Sequence, residues 1–272
     1  MPRKATQEPE EKILSHQRRE LILAAVEEFG AVRVRELTER FAVSDMTIRR
    51  DIEALAMTNR LVRVHGGATR ADRSPRSVDE PGFLAKSTRQ RDEKAAIAVA
   101  AANRITPGSA IGVTAGTTTY QLAQHLPGIA NLTVVTNSIP IASTLSSIGS
   151  HELQVVITGG TPTPSNAIVG PLADRSLGGL HLDQLFMGVH GMAESSGFTT
   201  PNLAEAQTNQ AFIESAKEIV VITDSTKWDI TGLGTIASLS AADVLITDSD
   251  ANKDALRVLG REVGELETVV AH

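Results

Sequence analysis

The chain has 272 residues, of which 41% are hydrophobic and 21% charged, and its formal net charge is −6. These values are ordinary for a globular protein and exclude a disordered or low-complexity chain. The absence of cysteine excludes disulfide bonds, thiolate metal sites and cysteine nucleophiles, and is typical of a reducing compartment. No apolar run approaches the ~20 residues of a membrane span, and the first residues lack a signal-peptide core. We therefore expect a cytoplasmic, soluble chain without a membrane partner, long enough for two domains.

The charge is unevenly distributed. Residues 12–73 carry twelve Lys and Arg against nine Asp and Glu, a net charge of +3, whereas residues 74–272 carry a net charge of −8. A small basic segment joined to a larger acidic one favours a unit that binds nucleic acid followed by a unit with another task.

Three short helices are predicted in the basic segment. Apolar residues recur at helical spacing over residues 15–29, and a second helix fits residues 34–41. Ser44 is a good N-cap for a third helix, whose apolar residues recur at i, i+4 and i+7. These residues, Ile48, Ile52 and Leu55, should form one narrow buried stripe. A tight turn between the last two helices is the arrangement of a helix-turn-helix, which places its last helix in a DNA major groove.

Residues 61–68 alternate briefly and turn at a Gly-Gly pair, which predicts a β-ribbon that would act as a wing. Arg side chains bind guanine edges or phosphates, and Thr contacts a thymine methyl group or a phosphate. The candidate DNA-binding residues are Arg33, Arg35, Ser44, Thr47, Arg49, Arg50, Arg60, Arg63, His65, Gly66 and Gly67. The alternative is a solvated helix whose Arg49-Arg50 pair only balances Asp51 and Glu53, but turn, cap, stripe and ribbon together favour DNA binding.

Two motifs in this segment point to a known family. Residues 43–51 read V-S-x-x-T-I-R-R-D, and residues 63–68 read R-x-H-G-G-A. This combination resembles the N-terminal signature of DeoR-type (DeoR/GlpR) bacterial transcriptional regulators. The resemblance implies a winged helix-turn-helix with its central part at about residues 33–52, and double-stranded operator DNA as the partner. Thr47, Arg49 and Arg50 would then lie on the recognition helix.

From Glu93 onward, apolar strands alternate with helices. The predicted strands are residues 111–114, 132–136, 153–158, 184–189, 218–223, 244–247 and 268–270, and the predicted helices are 93–104, 117–125, 139–148, 203–216 and 251–259. Strands rich in Val and Ile that alternate with helices of about ten residues are typical of a mostly parallel sheet covered on both faces. We expect an α/β, Rossmann-like domain.

One loop in this domain has the features of an anion site. Residues 112–119 follow a predicted strand and open a helix. Gly116 lacks a Cβ and permits close approach of the backbone, and the first amides of the helix, with the hydroxyls of Thr117 to Thr119, could bind an anion. The loop is neither a Walker motif nor a dinucleotide fingerprint. The alternative is that the threonines only cap the helix.

Polar clusters also follow three other predicted strands, and ligands of open α/β sheets bind beyond the carboxyl ends of strands. The candidate effector-binding residues are Thr114, Gly116, Thr117, Thr118, Thr119, Asn137, Ser138, Gly159, Gly160, Glu205, Asp224 and Lys227. Each also has an ordinary structural explanation: Asn137 and Ser138 as caps, the two glycines as a turn and Lys227 as a surface charge. Their convergence on one edge of the sheet predicts a bound anion.

The same residues resemble the C-terminal domain of the DeoR family, which is similar to the sugar-phosphate-isomerase fold of ribose-5-phosphate isomerases and glucosamine-phosphate deaminases. The shared segments include residues 93–98, 116–118, 135–137 and 224–227. The resemblance implies a phosphorylated sugar or related metabolite as effector, with its phosphate at residues 116–119 and with Asn137, Gly160 and Lys227 lining the same pocket. Thr114 stands where the family loop usually has Asp.

An active isomerase with a DNA-binding head is the competing hypothesis. Proton transfer between carbons needs a carboxylate base in the pocket, but residues 184–193 contain no Asp or Glu. Glu205 is the other carboxylate to consider, and His190 alone is a weak base candidate. The seven His residues lack metal-ligand spacing. We therefore expect no catalysis, metal or cofactor. A third hypothesis is an interaction module without a small ligand.

We expect a flexible arm over residues 1–12, a winged helix-turn-helix domain over 13–69, a linker over 70–92 and an effector-sensing and oligomerisation domain over 93–272. The whole chain should act as a homodimer or homotetramer that represses a carbohydrate-metabolism operon. A phosphorylated sugar should release it from the operator.

Overall fold

A computed structural model describes residues 15–29, 31–41, 43–57, 60–64, 67–69, 83, 87, 89–149 and 152–271. The chain divides into two compact units, Met1–Ser74 and Pro75–His272. No helix within the described ranges is long and apolar enough to cross a membrane.

The first unit combines helices with a small antiparallel sheet. Its described elements are α1 (Ser15–Phe29), β1 (Ala31–Arg33), α2 (Val34–Phe41), α3 (Asp45–Met57), β2 (Val62–Val64) and β3 (Gly67–Thr69), with sheet order β1-β3-β2. The predicted stripe of α3 is confirmed, since Ile48, Ile52 and Leu55 are buried in the unit's core. A Cβ on Gly67 would overlap the carbonyl oxygen of Val32, so only glycine lets β3 run this close to β1.

The second unit is built on strands that alternate with helices. Its strands are β4 (Ala110–Val113), β5 (Leu132–Thr136), β6 (Leu153–Ile157), β7 (Thr161–Pro162), β8 (Ile168–Val169), β9 (Leu182–Met187), β10 (Gly191–Ala193), β11 (Gly197–Thr200), β12 (Ala216–Ile222), β13 (Gly234–Ala237), β14 (Val244–Asp248) and β15 (Glu265–Val269). Its helices are α4 (Arg91–Asn103), α5 (Thr117–Ala123), α6 (Ile139–Ile148), α7 (Pro171–Leu177), α8 (Leu203–Ser215) and α9 (Lys253–Glu262).

Seven of these strands form one parallel sheet in the order β15-β14-β12-β9-β4-β5-β6. Aliphatic side chains from both faces are buried, for example Ile111 and Ile222 in one core and Leu185 and Leu245 in the other. The predicted parallel sheet with two covered faces is therefore confirmed.

The order of the strands places a ligand crevice next to β4. The chain extends the sheet from β4 through β5 to β6 on one side and from β9 to β15 on the other. Two neighbouring connections therefore leave the carboxyl ends of β4 and β9 in opposite directions. Open α/β sheets bind ligands at such a switch point.

Two smaller sheets and one helix were not predicted. Strands β10, β11 and β13 form an antiparallel sheet, and β7 pairs with β8. Helix α7 begins at Pro171 directly after Gly170. At the sheet edge, β15 begins at Glu265, three residues before the predicted strand. Its first residues alternate between polar and apolar, as on an exposed edge, and therefore did not show the apolar run that predicts a buried strand.

Candidate functional site

A cleft lies beyond the carboxyl ends of β4 and β9. Its lining residues are Ala115, Gly116, Thr117, Thr118, Gly188, Val189, His190, Thr200, Glu205, Asn209, Lys227 and Ile236. Its volume is about 70 Å³, and a water-sized group needs roughly 10–15 Å³ on the same measure, so several such groups fit. The structure therefore brings together five predicted effector-binding residues, Gly116, Thr117, Thr118, Glu205 and Lys227.

The loop between β4 and α5 forms one wall of this cleft. No described side chain caps the N-terminus of α5, which begins at Thr117 after Gly116. Thr119 donates its hydroxyl to the carbonyl oxygen of Gly116 at 3.0 Å. Its side chain is completely buried, and a Cβ on Gly116 would lie 2.9 Å from its Oγ1. The first amides of α5 are thus left for a ligand, which disfavours the capping alternative.

Three other predicted residues support this loop from behind. The buried Thr114 hydroxyl accepts the N–H of Gly188 at 3.1 Å, and so ties the end of β4 to the loop after β9. Asn137 Oδ1 accepts the N–H of Ala115 at 2.9 Å, while its Nδ2 donates to the carbonyl oxygen of Ile168 at 3.2 Å. Ser138 caps α6. These side chains hold backbone segments in place and do not line the cleft.

Gly159, Gly160 and Asp224 also lie outside the lining. Gly160 has a φ of +138°, and a side chain there would meet the carbonyl oxygen of Val169, so glycine permits the β7–β8 pairing. Asp224 accepts the N–H of Thr226 at 3.2 Å and shapes the single helical turn Ser225–Lys227. That turn carries the half-buried Lys227 to the cleft.

Helix α8 and the preceding strand β11 form a second wall of the cleft. Asn202 caps α8 by accepting the N–H groups of Ala204 and Glu205 at 2.9 and 3.3 Å. The Glu205 carboxylate accepts hydrogen bonds from Thr163 Oγ1 at 2.7 Å and Thr200 Oγ1 at 3.3 Å, and from the hydroxyl of Ser165. Glu205 is thus a buried carboxylate held by hydroxyl groups.

Sequence reasoning missed several lining residues, most clearly Thr200 and Asn209. Asn209 follows Glu205 by four residues on α8 and therefore lies on the same helix face. This i, i+4 spacing is the signal that could have found it. Thr200, at the end of an unpredicted strand, left no such signal.

The cleft combines a cation with hydrogen-bonding groups. Lys227 and the α5 amides favour an anion, and Glu205, Thr200 and Asn209 offer hydrogen bonds to a polar group. Within the described residues, no group of three or more His, Asp and Glu side chains could hold a metal ion. The arrangement is therefore suited to binding a small phosphorylated polar molecule.

In the first unit, α3 has the geometry expected of a recognition helix. Ser44 Oγ accepts the N–H of Thr47 at 3.3 Å, which confirms the predicted N-cap. Arg49 pairs with Asp45 one turn earlier, and this hydrogen bond and charge raise the pKa of the Arg49 guanidinium above its ordinary value. Arg50 is exposed and forms no ion pair within the described ranges. Arg50 is therefore the α3 arginine most available to DNA.

The other candidate DNA-binding residues differ from one another in exposure and in ion pairing. Arg33 and Arg35 are exposed, and Arg60 forms an exposed two-point ion pair with Glu20 at 2.8 and 3.2 Å. Gly67 is buried in β3. The Arg63 side chain, His65 and Gly66 lie outside the described residues.

Asp51, inside the family motif, has a structural role that sequence reasoning did not assign. Its carboxylate is almost fully buried and accepts Arg18 Nε at 2.6 Å and Arg19 Nε at 2.9 Å. The bonds join α3 to α1, so Asp51 fixes the recognition helix on its support. The alternative in which the Arg49-Arg50 pair only balances Asp51 and Glu53 does not fit the contacts of Asp51, which bonds to Arg18 and Arg19.

Comparison with known proteins places both units in one family. Residues 18–74 match the DeoR-like helix-turn-helix domain, and residues 89–249 match the DeoR C-terminal sensor domain. The chain is 35% identical to the uncharacterized HTH-type transcriptional regulator YgbI of Escherichia coli K12, over 94% of this chain and 97% of that protein. It is 30% identical to the glycerol-3-phosphate regulon repressor of the same organism, over 89% and 94% of the two chains.

Among solved structures, ribose 5-phosphate isomerase A of Methanocaldococcus jannaschii is similar with a TM-score of 0.38 and 17% identity, over 51% of this chain and 54% of that chain. The two sequence relatives are named as a transcriptional regulator and a repressor. The expectations of a regulator rather than an enzyme, and of a helix-turn-helix followed by an α/β sensor domain, are thereby confirmed. The chain belongs to the DeoR family of DNA-binding transcriptional regulators.

Proposed function

We propose that this regulator is a repressor whose release from DNA is triggered by a small phosphorylated ligand bound in the cleft. The observation that carries the proposal is the pairing, on one cleft, of the uncapped start of α5 with the Lys227 side chain. Helix N-terminal amides and a lysine are a recurrent combination for phosphate. A phosphoryl group is compatible with the size of the cleft.

The cleft wall formed by α8 and β11 favours a phosphorylated sugar or polyol. Glu205, Thr200 and Asn209 can exchange hydrogen bonds with ligand hydroxyl groups, which a bare phosphate ion does not have. The name of one relative, the glycerol-3-phosphate regulon repressor, supports the same ligand class. We therefore propose that the target is an operon of carbohydrate metabolism.

Release from DNA requires that the ligand binds with different affinities to two arrangements of the DNA-binding units, which we call the heads. A ligand can shift the equilibrium only if it binds the DNA-incompetent arrangement more tightly. One head makes few base contacts, so specific binding needs two heads on one DNA face, about 10 bp or a multiple apart. We propose a homodimer or homotetramer in which residues 70–92 transmit the change.

Replacing Arg50 with alanine should weaken operator binding. Loss of one arginine contact to a base costs about 1–3 kcal/mol, or roughly 5-fold to 150-fold in Kd, and removing a phosphate contact reduces the salt dependence. Arg257→Ala removes the same charge from an exposed position on α9 and should leave the affinity unchanged. Fluorescence anisotropy with operator DNA at two salt concentrations measures the affinity of each variant and its salt dependence. Equal affinities for the two variants would refute the assignment of Arg50.

The double variant Thr117→Ala, Lys227→Ala should bind operator normally but no longer respond to the effector. In the wild type, a ligand at ~100 times its Kd should add about 2.7 kcal/mol of stability. A thermal-shift panel of sugar phosphates measures this, with Lys217→Ala, an exposed lysine elsewhere in the same unit, as control. A double variant that responds like the wild type would refute the pocket. No stabilisation of the wild type by any phosphate ester would favour an interaction module.

A further inference from the structure

The two edges of the seven-stranded sheet differ in charge. At one edge, β15 carries Glu265 and Glu267, and Arg104 bonds to them at 2.8 and 3.0 Å. The hydrogen bond and positive charge of Arg104 lower the pKa of the Glu265 carboxyl below its ordinary value. Charged side chains on an edge strand prevent it from pairing with a strand of another molecule.

At the other edge, β6 carries only Leu, Gln, Val, Val and Ile. Val156 and Ile157 are 36% and 48% exposed. Leu172, at 61% exposed, lies beside the loop that follows β6, since a Cβ on Gly159 would be 3.9 Å from the Leu172 Cβ. Val156 and Ile157 are consecutive in β6 and therefore point to opposite faces of the sheet, so each face of this edge carries an exposed apolar side chain. This edge has none of the charges that protect β15.

The outer backbone groups of β6 can be identified from its bonds to β5. Leu132 N–H donates to the carbonyl oxygen of Glu152, and Thr158 N–H donates to that of Thr136. Because bonding to one neighbour uses alternate residues, the N–H and C=O groups of Leu153, Val155 and Ile157 point away from β5. Within the described residues, no strand pairs with this side of β6.

We propose that β6 is the interface through which two copies of this chain associate, as antiparallel strands related by a two-fold axis near Val155. With Val155 opposite its counterpart, Leu153 lies opposite Ile157, and every outward backbone group finds a partner. In this register Ile157 lies beside Leu153 of the second copy on the face that carries Val155, and Val156 lies beside Gln154 on the other face.

A second copy fits this edge better than DNA or a charged partner. DNA binding needs cations, and residues 153–157 contain no charged side chain. A two-fold axis also makes the surface self-complementary. The inference rests on the proposed function in one respect: the resulting dimer supplies the two heads that specific operator binding requires.

The first test is the double variant Val156→Lys, Ile157→Lys, which gives both faces of this edge strand positive charges and so disfavours pairing with a second copy. The molecular mass from sedimentation velocity should fall to half the wild-type value, with an unchanged circular dichroism spectrum. Val270→Lys, at a 60% exposed apolar position beside the charged edge, should keep the wild-type mass. A monomeric wild type, or a double variant of unchanged mass, would overturn the proposal.

The second test does not depend on how well the lysine variant folds. The chain contains no cysteine, so Val155→Cys introduces a single thiol. Paired Val155 positions would have Cα atoms ~5.5 Å apart, within the ~4.4–6.8 Å of disulfides. Oxidation should therefore yield a covalent dimer of the full chain, whereas Val270→Cys should not. Absence of the Val155 cross-link would exclude this register.

The two proposals can fail separately. If the interface is correct, the lysine variant should lose operator affinity but keep its stabilisation by the active sugar phosphate. If its mass is unchanged while Arg50→Ala still weakens operator binding, the interface is wrong and the repressor function stands. If β6 cross-links but no phosphate ester stabilises the protein, the effector proposal fails alone.

Discussion

Substitution of Asp51 by alanine should unfold the DNA-binding unit while leaving the sensor unit folded. The change removes the buried carboxylate that bonds to both Arg18 and Arg19, and the Arg18 side chain is only 8% exposed. Breaking a buried ion pair from one side costs about 3–5 kcal/mol. Small domains have little stability in reserve, because they bury a smaller share of their surface. Operator binding should therefore be lost although Asp51 itself faces the interior.

Asp45→Ala is the matched control on the same helix. Its ion pair with Arg49 is exposed, at 58% and 45% of the two side chains, and exposed i, i+4 pairs contribute about 0.3–0.5 kcal/mol. Hydrogen exchange in the full chain distinguishes the variants: amides of α1 and α3 should lose protection in Asp51→Ala, and those of β4 and β9 should keep it. Retained protection in α1 would show that the ion pair is not what holds these helices together.

Helices and strands were predicted correctly from the sequence where one hydrophobic period continued along the whole segment. Helices α1 and α2 have the predicted bounds, and α3 begins directly after Ser44 as predicted. Buried residues such as Ile48 and Ile52 recur at helical spacing, which made these helices recognisable. In the second unit, β5 and α6 also have the predicted bounds, since each is limited by polar cap or turn residues.

Shorter elements escaped because their burial depends on distant parts of the chain. Strands β10 and β11 are three and four residues long, and β11 pairs with β13 more than thirty residues later. Such runs are too short to show a period. The cleft wall formed by Thr200 therefore could not be predicted from its neighbourhood in the sequence.

The polar residues at strand ends were all predicted to bind the effector, but the structure shows that only some of them line the cleft. Gly116 and Lys227 line the cleft, whereas Thr114 and Asn137 hydrogen-bond to the backbone behind it. The sequence pattern is the same for both, since it locates the edge of the sheet but not the direction of each side chain.

Substitution of Gly116 by alanine should abolish the response to the effector without preventing DNA binding. The φ of 171° is extended, so the backbone conformation itself tolerates alanine. The obstacle is the new methyl group, which would lie 2.9 Å from Thr119 Oγ1, an atom that is buried and bonded to the Gly116 carbonyl oxygen. Either Thr119 or the loop must move, at about 1–3 kcal/mol, and both carry the amides proposed to bind phosphate.

Gly128→Ala provides the matched control, because a Cβ there meets no atom within 4 Å. We expect this variant to keep both the melting temperature and the stabilisation by the active sugar phosphate. Gly116→Ala should melt earlier and show at least a tenfold weaker effector affinity, since displaced amides no longer converge on one anion. If Gly116→Ala melts earlier but binds the effector with wild-type affinity, the glycine serves packing alone and the phosphate must bind elsewhere in the cleft.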